Sequence, residues 1–125
     1  MLDARLPYLV AEFSQSVIGY AYAGRYRTRT AYCHTAEDSV YVVDLRMADH
    51  GAGGLLLAEV IAQSAVAGYR ELVAIIGDSG NSASIGLHRA LGFREACTLR
   101  QVGLKFGRWL DIVIMQRSVA GDAAD

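Results

Sequence analysis

Apolar and polar positions along this chain fall into short β-like runs and two longer helical ones. Residues 8–13, 17–24 and 37–43 are brief, rich in β-branched or aromatic side chains and bounded by polar or glycine residues, which predicts strands. The Ser14-Gln15-Ser16 link between the first two has the composition of a hairpin turn. Residues 72–76 form a nearly all-apolar fourth strand. Between Gly53 and Ala67 the pattern lengthens into a helix that is apolar around most of its circumference and stops at Gly68, a left-handed cap. Residues 81–91 predict a second helix ended by Gly92. Two more strands follow near 93–102 and 109–117, joined by the Gly-Leu-Lys-Phe-Gly-Arg connection. Residues 25–36 lack a period and read as loop, and 118–125 read as a loose tail.

One helix between two buried strands predicts a parallel pair with a right-handed crossover. The fold class is therefore α/β: a mixed sheet, antiparallel at its start and end and parallel at its centre, flanked by helices. A single domain is expected over residues 1–117.

Composition narrows the picture. The chain has 125 residues, 53% of them hydrophobic and 20% charged, which suits a folded domain and excludes disorder. A net charge of −1 offers no general field for nucleic acid or an acidic membrane, leaving only the alternating Arg25, Arg27 and Arg29 as a local basic patch. Cys33 and Cys97 have neither metal spacing nor a secreted framework and read as free thiols of a reducing cytoplasm. His34 and His50 likewise show no metal spacing, so no metal site is expected. The apolar stretch at 55–67 is broken by Glu59 and Gln63 and is too short to span a bilayer. The first residues lack the layout of a signal peptide.

Candidate chemistry gathers where the strand at 40–43 gives way to the Asp-His-Gly-Ala-Gly-Gly segment, residues 49–54, that opens the long helix. The first amides of a helix have no internal partners, and Gly51, Gly53 and Gly54 widen this mouth for an anionic group such as a pyrophosphate. Taken by itself, the stretch suits an ordinary strand-to-helix turn slightly better. No Gly-Lys-Ser/Thr follows the glycines, and the loop is too long for a Rossmann turn.

Ligands of open α/β sheets sit beyond the carboxyl ends of strands, which brings the start of the second helix to the same crevice. There Asn81, Ser84 and His88 share a face, as a solvated stripe or as a catalytic one. Glu37 is either a base in a dry site or a solvated strand-end carboxylate. Arg29 with Tyr32, and Lys105 with Trp109 and Asp111, suit a binding surface or plain loop packing.

Taken together, residues 26–44 (YRTRTAYCHTAEDSVYVVD), the Gly-Ala-Gly-Gly loop, residues 81–93 (NSASIGLHRALGF) and residues 102–116 (VGLKFGRWLDIVIMQ) resemble the GNAT superfamily of acetyl-CoA-dependent N-acetyltransferases. The likeness is to its phosphinothricin and methionine sulfone/sulfoximine branch, and it covers the chain from Tyr8 to about Arg117.

The resemblance implies acetyl transfer from acetyl-CoA to the amino group of a small amino-acid-like molecule. It implies that Asp49, His50, Gly51, Ala52, Gly53 and Gly54 hold the pyrophosphate, and that Val40, Tyr41 and Val42 lie along the pantetheine arm. Asn81 also contacts the cosubstrate; Glu37 is the base; His88 stands where many members carry a tyrosine that protonates the departing thiolate; and Arg29, Thr30, Ala31 and Tyr32 line the acceptor pocket.

Three departures accompany it. The chain begins near the family's second strand, so an N-terminal truncation with an uncovered apolar flank is expected, and with it a homo-oligomer. Ala48 stands where a Gln or Arg is usual. Asp49 and His50 replace a glycine and a basic residue, which predicts weaker acetyl-CoA binding. The alternative is a degenerate domain that binds or assembles without turnover.

Overall fold

A computed structural model describes residues 6–13, 15–26, 33–42, 51–77 and 82–120. Among these residues six strands and two helices follow one another: β1 (Tyr8–Phe13), β2 (Ser16–Arg25), β3 (Thr35–Val42), α1 (Ala52–Val66), β4 (Glu71–Ile76), α2 (Ser82–Ala90), β5 (Arg94–Lys105) and β6 (Arg108–Ser118). The strands form one sheet in the order β1-β2-β3-β4-β6-β5. Its one parallel pair is β3 with β4, joined through α1; the other four pairs are antiparallel. The expected mixed sheet with a parallel centre is the observed one.

Side-chain alternation sorts the sheet into two faces. Ala21 and Ala23 of β2, Ala36 of β3, Leu72, Ala74 and Ile76 of β4, and Val113 and Met115 of β6 share one face and form the core with Leu56, Leu57, Val60 and Ile61 of α1. The small side chains on β2 and β3 let the helix approach closely. Complete burial of a side chain such as Leu57 contributes about 1.5–3 kcal/mol. α1 ends as the glycine signalled: Gly68 has φ +97°, and the amides of Gly68 and Tyr69 donate to the carbonyls of Ala65 and Ser64. α2 lies on the same face, with Leu87 near Gly54 of α1 and Phe93 in the core.

On the opposite face no helix packs among the described residues. Instead Tyr8, Tyr20, Tyr22 and Tyr41 stack across β1, β2 and β3, with ring centroids 4.9 Å apart for Tyr20 and Tyr41 and 5.5 Å for Tyr8 and Tyr22. Tyr8, Val10, Tyr41 and Ile75 remain exposed there. Among the described residues no helix is long and apolar enough to cross a membrane.

Three boundaries differ clearly from expectation. The stretch read as loop gives Arg25 to β2 and Thr35 and Ala36 to β3, where they pair with their neighbours in the sheet. The Gly103–Arg108 connection is mostly strand: β5 and β6 continue to Lys105 and Arg108, closing on Phe106 and Gly107, both at positive φ. That is the two-residue geometry whose twist matches a hairpin. Residues 118 and 119, expected as tail, are also part of the fold. Ser118 ends β6, Val119 is fully buried, and its amide donates to the Arg70 carbonyl at 2.8 Å.

Candidate active site

The parallel ladder between β3 and β4 runs from Thr35 opposite Glu71 to Asp38 opposite Ala74, and then stops. β3 goes on to Val42 still paired with β2, while β4 goes on to Ile76 paired with β6. Two parallel neighbours therefore diverge. The cleft between them is lined by Asp38, Ser39, Val40 and Tyr41 on one side, Ala74, Ile75, Ile76 and Gly77 on the other, and Ser84 and His88 from α2. Beyond Asp38 the β3 edge that faces β4 has no strand partner among the described residues. Backbone groups left in that state must be met by water or a ligand.

Asp38 and His88 form the buried polar feature of this cleft. Asp38 shares the inward phase of β3 with Ala36, so its carboxylate enters the helix-covered side instead of solvent. There His88 Nε2 lies 2.8 Å from Asp38 Oδ1, with the His88 and Asp38 side chains 4% and 1% exposed. His88 Nδ1 lies 2.8 Å from the Ser84 carbonyl one turn earlier, and Phe93 sets a ring edge-on to the imidazole. A carbonyl only accepts, so Nδ1 carries a proton, and the pair holds one further proton on the Nε2–Oδ1 bond.

Burial is the largest influence on the ring and disfavours its charged form. The hydrogen bond to Asp38, the carboxylate's charge and the Ser84 carbonyl together outweigh it and hold the His88 pKa above its ordinary value. Asp38 Oδ2 is buried with no hydrogen-bond partner among the described residues.

Glu37 occupies the other phase of β3, opposite Gly24 and Val73 on the helix-free face. It is only partly buried; burial first, and the neighbouring Asp38 charge second, raise its pKa. Glu37 and His88 thus address opposite sides of the sheet, with the ladder ending one residue after Glu37.

The α1 mouth is the third component. Gly51 is the N-cap at φ +77°, in the left-handed region, and the Leu55 amide donates to its carbonyl. No side chain caps this end among the described residues, and the first turn carries no acidic residue. Among the described residues the amides of Ala52, Gly53 and Gly54 thus have no intrahelical acceptor, as the first amides of a helix do.

Of the residues singled out in the sequence, Val40, Tyr41 and His88 come together on the cleft wall. Glu37 stands at its start on the other face, and Gly51, Ala52, Gly53 and Gly54 form the helix mouth. Val42 continues the β3 backbone. Arg29, Thr30, Ala31, Tyr32, Asp49, His50 and Asn81, together with Ala48, lie outside the described residues.

A solvated stripe on α2 does not fit His88, which is buried. Asp38 escaped the sequence reading. Its signal was its place in the strand, an acid in phase with Ala36 and Val40 where an apolar residue would be ordinary. Among the described residues no group of three His, Cys, Asp or Glu side chains comes together as a metal site.

Residues 2–114 match the profile of the acetyltransferase (GNAT) domain family. The chain is 53% identical to a phosphinothricin N-acetyltransferase of Alcaligenes faecalis, covering 98% of this chain and 62% of that protein. It is 46% identical to an L-methionine sulfoximine/L-methionine sulfone acetyltransferase of Pseudomonas paraeruginosa, covering 88% of this chain and 63% of that one. The chain thus spans a little over three-fifths of the length of these curated relatives. A solved GNAT superfamily phosphinothricin acetyltransferase of Sinorhizobium meliloti, in complex with acetyl-CoA, superposes with a TM-score of 0.88 at 41% identity, covering 96% of this chain and 64% of that one.

Proposed function

The chain belongs to the GNAT acetyltransferase domain family, and from that footing we propose that it transfers an acetyl group from acetyl-CoA to the amino group of a small amino-acid-like molecule of the phosphinothricin or methionine sulfone/sulfoximine type. The observation that carries the proposal is the divergence of β3 from β4 beside an uncapped helix mouth. A slot with open backbone edges suits an extended amide-bearing arm, and unsatisfied helix amides can donate to its phosphates.

Acetyl-CoA supplies an acyl group already activated as a thioester. The amides of Ala52, Gly53 and Gly54 would hold its pyrophosphate, with Gly51 shaping the turn and Asp49, His50 and Asn81 completing the site. The free edge of Val40, Tyr41 and Val42 would hold the arm and offer a fixed N–H where negative charge develops on the carbonyl oxygen.

The acceptor arrives as an ammonium, and Glu37, directly or through a water, removes a proton before attack. A carboxylate whose pKa is raised by burial is suited to hold that proton. Arg29, Thr30, Ala31 and Tyr32 would line the acceptor side, where an arginine can clamp a carboxylate or phosphinate through paired hydrogen bonds. His88 would supply a proton to the departing thiolate by giving up one of the two N–H groups that it holds against Asp38 and the Ser84 carbonyl. A leaving thiol with a reference pKa of about 8.5 benefits from an acid without depending on it, so Glu37 weighs more than His88.

Thiol release from acetyl-CoA, measured with phosphinothricin, methionine sulfone and methionine sulfoximine, tests the assignment. Glu37→Gln is expected to lower turnover by about 10²–10⁴-fold with the fold intact. Unchanged turnover in that variant across a pH series removes Glu37 as the base, and acetyl-CoA binding without turnover on any acceptor removes the enzymatic reading.

A homo-oligomer is the proposed assembly. It is supported by the exposed tyrosine-bearing sheet face and by a β5–β6 tip that presents Leu104, Phe106 and Trp109 to solvent. Sedimentation as a stable monomer would remove it. The two free thiols, Cys33 and Cys97, favour the cytoplasm.

A further inference from the structure

We propose that Asp38 is a positioning residue: through its bond to His88 it fixes the orientation of the imidazole and keeps both ring nitrogens protonated at the cleft wall. The catalytic consequence rests on the acetyl-transfer reading above; the dyad itself does not.

Geometry leads the argument. A histidine whose side chain is 4% exposed, sitting on a helix beside a phenylalanine edge, ordinarily sheds its charge. Here the ring is held at both ends, by the Ser84 carbonyl at Nδ1 and the Asp38 carboxylate at Nε2, each at 2.8 Å. A ring flip would set one ring carbon against the Ser84 carbonyl and another against the carboxylate, losing both bonds.

Asp38 is the charged side chain that bears on the ring. β4 brings Ala74 and Ile76 to the cleft, both apolar, and α1 meets α2 through Gly54 and Leu87. Of the other titratable groups nearby, Tyr41 and Glu37 occupy the opposite phase of β3. The pair also ties α2 to β3 at the position where the parallel ladder ends, so the same bond sets where the cleft begins.

The consequence for the reaction is that the imidazole keeps its charge to higher pH than an unpaired histidine buried in the same place would.

Nitrogen-15 NMR of the His88 ring in the whole chain, titrated from pH 5 to 9, tests the proposal without any turnover. The ring is expected to titrate with a midpoint above the ordinary histidine value of about 6.5 and to carry a proton on both nitrogens below that midpoint. In Asp38→Asn the midpoint is expected to fall by about one unit or more, a tenfold change in the ratio of charged to neutral ring. A wild-type ring that titrates at or below the ordinary value overturns the proposal, whether or not the variant folds. So does a midpoint that Asp38→Asn leaves in place.

Thiol release from acetyl-CoA gives the second readout. The alkaline limb of kcat moves to lower pH in Asp38→Asn by the same interval as the ring midpoint. A lower kcat with an unmoved limb would make Asp38 merely structural and overturn its positioning role. If the wild-type chain releases no thiol with any acceptor, acetyl transfer falls, and the NMR titration still decides the dyad.

Discussion

Replacing His88 by leucine leaves the Asp38 carboxylate, 1% exposed, without a counter-charge in the core. Breaking a buried pair by deleting one partner costs about 3–5 kcal/mol, because the surviving charge has no other means of solvation. Replacing Asp38 by valine is milder: the ring sheds its proton and leaves one nitrogen unsatisfied, costing about 1–3 kcal/mol. Were the two sites independent, the double variant would lose the sum, about 4–8 kcal/mol.

The structure argues otherwise. With both groups gone there is no orphaned charge, and the unpartnered Oδ2 of Asp38 is removed as well. Apolar replacement of a whole buried pair is often neutral, so the double variant should lose no more than about 2 kcal/mol. A chain of 125 residues has about 6–19 kcal/mol in total at the usual stability per residue, so the losses are measurable.

Urea denaturation at pH 7 is the assay. With a slope of about 1–3 kcal/mol per molar urea, the midpoint of His88→Leu should fall by about 2 M, and adding Asp38→Val should raise it again. A double variant that loses the sum of the singles within about 0.5 kcal/mol would show that the two side chains do not depend on one another, and the reasoning from burial would fail.

Two further outcomes follow from local features. Because the folded-state pKa of His88 lies above its unfolded value, its contribution to stability is fully present below about pH 6.5 and is lost as pH rises through the folded value. Urea midpoints between pH 6 and 9 should decline for the wild type, and His88→Leu should remove that component of the slope. At Gly51, φ is +77° and an added Cβ would meet nothing within 4 Å, so any penalty is purely conformational. Valine there should cost about 1–2 kcal/mol and asparagine distinctly less; equal urea midpoints for the two variants would place the strain elsewhere.

Much of the architecture was legible because local composition and tertiary demand agree. The described part of the β-branched run, residues 40–42, and the apolar run at 72–76 belong to the diverging parallel neighbours, and Gly68 and Gly92 mark the helix ends with φ of +97° and +93°. The β5–β6 hairpin was shortened in the sequence reading because its long outer portion carries exposed Val102, Leu104 and Trp109, whose pattern follows no buried face. Val119 looked like tail since a lone valine among small polar residues gives no period; its burial depends on a carbonyl at Arg70, distant in sequence.

At the site, type and spacing pointed to Glu37 and His88, but not to their separation by the sheet. That separation follows from strand parity once Ala36 is known to face α1. The Asp38–His88 contact spans fifty residues and is invisible to any local pattern.

Adjacent acids on β3 look in opposite directions, and strand parity ties their allegiance together. Adding one residue upstream within that strand would exchange them, turning the longer acid toward the imidazole and the shorter one toward the tyrosines. A length change of two would restore the faces but carry Asp38 about 7 Å along the strand, out of reach of the imidazole. The strand therefore tolerates substitution far better than insertion or deletion, and an engineered library that varies its length should lose the bond to His88 at every step.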